Sequence, residues 1–104
     1  MLPSPDDEPA EGPDGILARY RALGSTMYGD LLLDPRVALR LADELGNAAV
    51  AILGISVWYA DPTPQEQYAV NLSDLSIGES ATTARAFIAR WLSDDKHLFC
   101  LVTS

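Results

Sequence analysis

His97 and Cys100 are the sole histidine and the sole cysteine of a 104-residue chain, and they stand three positions apart in the run HLFCLVT. A thiol beside an imidazole could serve as a nucleophile and its base, or as two ligands of a metal. The run is continuously apolar, however, and predicts a strand over 97–103, in which successive side chains alternate between faces. Residues three apart then point to opposite faces, which disfavours both the nucleophile pair and the metal site. Structural zinc lacks the four ligands altogether. His97 reads as a surface residue at a strand end and Cys100 as buried packing.

Two carboxylate pairs are the other chemical candidates. Asp43 and Glu44 are adjacent within a predicted helix, where neighbours diverge, and Asp94 and Asp95 fall in a predicted turn, where solvation explains them. Neither has the arrangement of an acid–base couple. The glycines at 24, 29, 46, 54 and 78 are too scattered to form a phosphate-cradling loop. The expectation is a protein that is not an enzyme and that uses no metal and no cofactor.

Charge narrows the partners. The formal net charge is −8, and five of the acids (Asp6, Asp7, Glu8, Glu11 and Asp14) lie in residues 1–14 among Pro3, Pro5, Pro9 and Pro13. That segment predicts a flexible acidic tail, and residues 15–104 a single domain. With Lys96 as the single lysine, direct nucleic-acid binding is not expected, whereas a basic protein partner fits. The plainer alternative is that the charge serves solubility. The longest apolar run, AVAILGISVWY at 49–59, reaches only about half of the roughly 20 residues that a membrane-spanning helix needs. The N-terminus lacks the basic and apolar segments of a secretory signal, so a cytoplasmic location is expected.

The elements that must position any site follow from periodicity and capping. A short helix over 15–23 has Asp14 as its cap and Gly24 as its stop, and residues 25–33 predict an irregular connection. A second helix is capped by Asp34, carries Pro35 at its first position, and leaves through Gly46 and Asn47; Ala38, Leu41, Ala42 and Leu45 form its core face. The run at 49–59 predicts a central strand covered on both sides, with Gly54 marking a bulge or a close approach. After a loop over 60–66, stiffened by Pro62 and Pro64, a strand over 67–72 completes an antiparallel hairpin. Ser76 and Glu79 stand in capping-box spacing ahead of a third helix with the stripe Ala81, Ala84, Phe87, Ile88, Trp91 and Leu92. The strand at 97–103 then reaches the far flank of the central strand. The fold class is α+β: a mainly antiparallel three-stranded sheet, of order 2-1-3 in sequence, packed with two to three helices.

Binding is the function class these elements favour. Trp58, Tyr59 and Tyr68 gather at the loop end of the hairpin, near Asp61 and Glu66. Trp58 and Tyr59 face opposite ways on a strand, and Trp58 is assigned to the core beneath the third helix. An exposed aromatic beside carboxylates is an anchor for an Arg- or Lys-rich surface. Tyr59, Asp61, Glu66, Tyr68 and Asp74 are the candidate binding residues, and Tyr59 reads equally well as cover for a sheet edge.

In order along the chain, ALRLADEL (38–45), AILG (51–54), VWY (57–59), Tyr68 with Asn71, GES (78–80) and LFCLV (98–102) resemble immunity proteins of bacterial polymorphic toxin systems, most closely the immunity family numbered forty. The resemblance spans about residues 33–102 and departs from the pattern at Leu72 and Ser73, where an aromatic pair is expected. It implies a cytoplasmic protein that binds and neutralises a cognate, basic toxin domain without chemistry of its own. The alternative is a small structural or regulatory domain that self-associates through a sheet edge as a homodimer.

Overall fold

A computed structural model describes residues 13–60 and 63–103 of the chain. Helix α1 spans Pro13–Tyr20 and runs into a 3-10 turn at Arg21–Leu23. It starts one residue ahead of the expected Asp14 cap, and a proline suits that first position because its missing N–H has no intrahelical bond to lose. The expected tail lies, apart from the two residues that open α1, outside the described residues.

The segment expected to be irregular is a hairpin. Strand β1 (Ser25–Met27) pairs antiparallel with β2 (Asp30–Leu32), with Met27 opposite Asp30. Its two-residue turn has positive φ at both positions, 53° at Tyr28 and 84° at Gly29, which matches the twist of paired strands.

Helix α2 (Pro35–Asn47) has the expected cap, with Asp34 Oδ1 accepting from the Val37 N–H at 2.9 Å. Its exit is not where glycine suggested: the positive φ belongs to Ala49, at 57°. Gly46 remains helical and serves contact instead, because a Cβ there would stand 2.7 Å from the Ala81 Cβ.

Strand β3 (Ile52–Tyr59) is the centre of the sheet β4-β3-β5, with β4 at Gln65–Asn71 and β5 at His97–Thr103, both antiparallel to it. This is the anticipated order, with β4 beginning two residues early. Ile55 and Val57 face α2 and α3 (Ile77–Ala89), alongside Phe99, Leu101, Leu41, Leu45, Ala84 and Ile88 in the main core. A bulge at Leu53 opposite β5 turns Ile52 to that face as well. Gly54 is also a close approach, since a Cβ would lie 2.9 Å from the Val70 carbonyl oxygen.

Glu79 and Ser80 of the GES run hold α3 in place. Ser76 and Glu79 form the capping box, and Ser80, fully buried, accepts from the Ile52 N–H at 3.2 Å while donating to the Ile77 carbonyl at 2.9 Å. The opposite face of the sheet is covered by the β1–β2 hairpin, where Leu32, Trp58 and Cys100 form a second cluster with Met27 and Leu98. No helix among the described residues is long and apolar enough to cross a membrane.

Candidate functional site

Strand alternation separates the two residues with nucleophile or ligand chemistry, as the spacing predicts. Cys100 lies under the β1–β2 hairpin, and burial first, then the Asp30 carboxylate, push its thiol up to about 11. His97 lies on the helix side, and it is not the surface residue expected of a strand end. Its Nδ1 is 3.0 Å from each Asp94 oxygen, and its ring is edge-on to Tyr59 at 5.3 Å and tilted against Trp91 at 4.7 Å. Burial alone would raise the Asp94 carboxyl; the hydrogen bonds it accepts from the Lys96 N–H, the His97 ring and the His97 N–H outweigh that and hold it below the usual carboxylate range. The pair closes the turn into β5. Among the described residues no group of three or more histidine, cysteine or acidic side chains is placed to hold a metal.

An aromatic belt runs across the helix side of the sheet. Tyr59, His97, Trp91, Phe99, Phe87 and Tyr68 are linked by successive ring contacts with centres 4.7–6.5 Å apart. Its inner members are partly or fully buried, and Tyr68 at the β4 end is 46 % exposed. Trp58 is not beneath α3: it takes the other face, under the β1–β2 hairpin, where its Nε1 is buried without a hydrogen-bond partner among the described residues.

The five sequence-derived binding residues divide. Tyr59 and Tyr68 share the helix side, Tyr59 half-buried against His97 and Tyr68 packed edge-on to Phe87. Glu66 pairs with Trp58 and so lies on the opposite face, because a bulge leaves Gln67 unpaired between Glu66 and Tyr68. Asp74 follows β4 at the far end of the sheet, and Asp61 lies outside the described residues. A single acidic and aromatic ledge around the hairpin is therefore not formed. What Glu66, Tyr68 and Asp74 have in common is strand β4 and its exit.

That strand is the exposed edge of the sheet, with every residue but Val70 open to solvent. Among the described residues, Glu66 and Asp74 have no ion-pair partner, whereas Asp43 is held by Arg85 at 2.7 Å and Glu44 by Arg19 at 2.9 Å. Sequence reasoning missed one exposed aromatic, Tyr28, which is 90 % exposed at a positive-φ turn position. The Tyr-Gly pair ahead of the apolar run at 31–33 was its only signal.

No family model, curated protein or solved structure matches the chain.

Proposed function

We propose that this chain is a binding protein that neutralises a basic partner domain by covering it, as the resemblance to immunity proteins implies, and that strand β4 and its flanks form the contact surface. The observation that supports this reading is Tyr68, nearly half exposed on an edge strand whose flanking carboxylates Glu66 and Asp74 have no ion-pair partner among the described residues. A tyrosine anchored edge-on against Phe87 offers contact area at little entropic cost, and unneutralised carboxylates draw a basic surface into encounter. Asp61, which lies outside the described residues, is included in the test on the strength of its sequence position. No bond is made or broken in this account.

The experiment is calorimetric titration of the chain with the toxin domain encoded beside it, at low and high salt. Tight binding that weakens as salt rises, and that weakens about tenfold or more in Tyr68→Ala and in the Asp61→Ala/Glu66→Ala pair, is the expected result. Salt-independent affinity, unchanged in both variants, would contradict it. The open edge of β4 also favours a second reading, self-association of two copies. Sedimentation separates them, since a tight dimer with no affinity for a toxin domain supports assembly alone.

A further inference from the structure

The edge of the sheet away from β4 carries an interrupted ladder. On β5 the Lys96 carbonyl accepts from the Ala60 N–H, so the two-residue alternation of an antiparallel pair directs Leu98 and Cys100 to β3 and turns the backbone groups of Phe99 and Leu101 outward. Phe99 uses that side, exchanging both backbone hydrogen bonds with Leu33 at 2.9 and 2.7 Å. The next rung would join Leu101 to Leu31. It is not made: the Leu33–Phe99 bridge stands alone, and the Leu31 N–H turns to the Cys100 sulfur instead. Leu101, a buried residue, keeps its outward N–H and carbonyl without a backbone partner among the described residues.

A cavity of about 230 Å³ lies at the place of the missing rung. Leu31 and Leu101 line it, Leu17 of α1 and Leu41 of α2 make it apolar, and Arg21 and Asp30 bring one charge of each sign. Among the described residues neither of those two has an ion-pair partner, so they are not joined to each other. The Asp30 carboxylate acts on the cavity side, since it helps to push up the Cys100 thiol. A cavity of about 150 Å³ holds a molecule the size of benzene, so this one admits a small organic solute. Buried backbone groups left unpaired cost about as much as a lost hydrogen bond, which favours an occupant that is polar where it meets Leu101.

We propose that this cavity binds a free α-amino acid with an apolar side chain, which completes the missing rung as a strand one residue long. In an antiparallel pair, two opposed residues each donate an N–H to the other's carbonyl. A free amino acid does both with its own ends: its ammonium donates to the Leu101 carbonyl, and its carboxylate accepts from the Leu101 N–H. Those ends carry full charges, and Asp30 and Arg21 supply the opposite sign to each. Leu17, Leu31 and Leu41 receive the side chain. A longer peptide parts the two charges and outgrows the cavity. The site is separate from β4 and does not rest on the proposed partner surface.

The test is amide-resolved NMR titration of the whole chain with L-leucine, repeated with L-leucinamide, which lacks the carboxylate, and with N-acetyl-L-leucine, which lacks the ammonium. Saturable shift changes centred on Leu31 and Leu101 are expected with leucine, together with a melting temperature that rises with its concentration. Each blocked form is expected to bind at least tenfold more weakly, a comparison made on the unaltered chain. Arg21→Gln, at an exposed position, is expected to weaken leucine at least tenfold and to leave leucinamide unchanged, a split that a general loss of structure would not produce. Absence of saturable leucine binding, shifts centred elsewhere, or equal binding of leucine and its blocked forms would overturn the proposal. So would tighter binding of trileucine than of leucine, which would assign the cavity to a peptide chain.

Discussion

The Nδ1 of His97 lies 3.0 Å from both carboxylate oxygens of Asp94, three residues earlier, while one of those oxygens also accepts the Lys96 and His97 backbone N–H groups at 2.7 and 2.8 Å. Asp94 is consequently held below its ordinary value, so the unfolded chain binds the proton more readily than the folded one in the acid range. The contribution is fully present above the ordinary carboxylate value and is lost as pH falls through the depressed folded value. Denaturant unfolding across the acid range is expected to show a shallower loss of stability in Asp94→Asn than in the unaltered chain.

Gly46→Ala tests the contact between α2 and α3. Alanine improves helix propensity by about 1 kcal/mol, yet its Cβ would meet the Ala81 Cβ at 2.7 Å, and overpacking of this kind costs about 1–3 kcal/mol. Neither partner is a flexible side-chain tip, so separation of the helices is the only relief. The balance is a net loss of up to about 2 kcal/mol, measured by chemical denaturation. Adding Ala81→Gly should restore part of it.

Ser80→Ala leaves the Ile52 N–H, in a fully buried residue, without its acceptor. An unsatisfied buried donor costs about 1–3 kcal/mol, more than the roughly 1 kcal/mol expected for Ser76→Ala at the exposed helix cap. Equilibrium unfolding of the two variants should rank them in that order.

Cys100 should react with a thiol reagent only through unfolding. Its sulfur is buried and its thiol is pushed up to about 11, so almost no thiolate is present at neutral pH. Labelling is expected to be slow in the native chain and to accelerate sharply across the denaturant midpoint.

Much of the architecture was legible because its signals are local. Asp34 with Pro35, and Ser76 with Glu79, mark helix starts through bonds their own side chains make, and the apolar runs of β3 and β5 reflect burial on both faces. The β1–β2 hairpin was hidden because its strands are three residues long and its turn carries tyrosine where asparagine or aspartate would be the familiar sign. That omission also misplaced Trp58: alternation shows that Trp58 and Tyr59 diverge, but which face α3 covers depends on the hairpin claiming the other.

The site was less legible for a geometric reason. Glu66 and Tyr68, two apart, belong on one face of a regular strand, and the single extra residue Gln67 sends them to opposite faces. Tyr59 is drawn inward because Trp91 and His97 close over the same end of the sheet. Asp74 sits beyond the end of β4 far from the hairpin loop, a separation the chain order states only once the strand is known to run straight through to Asn71.

Hydrogen exchange resolved to single amides, with the chain free and then bound to a basic toxin domain of the proposed kind, tests the central claim most directly. Slowed exchange along β4, the exposed edge of the sheet, is the predicted result. A tight complex in which the β4 amides exchange as fast as in the free chain, with protection gathered on another surface, would contradict it.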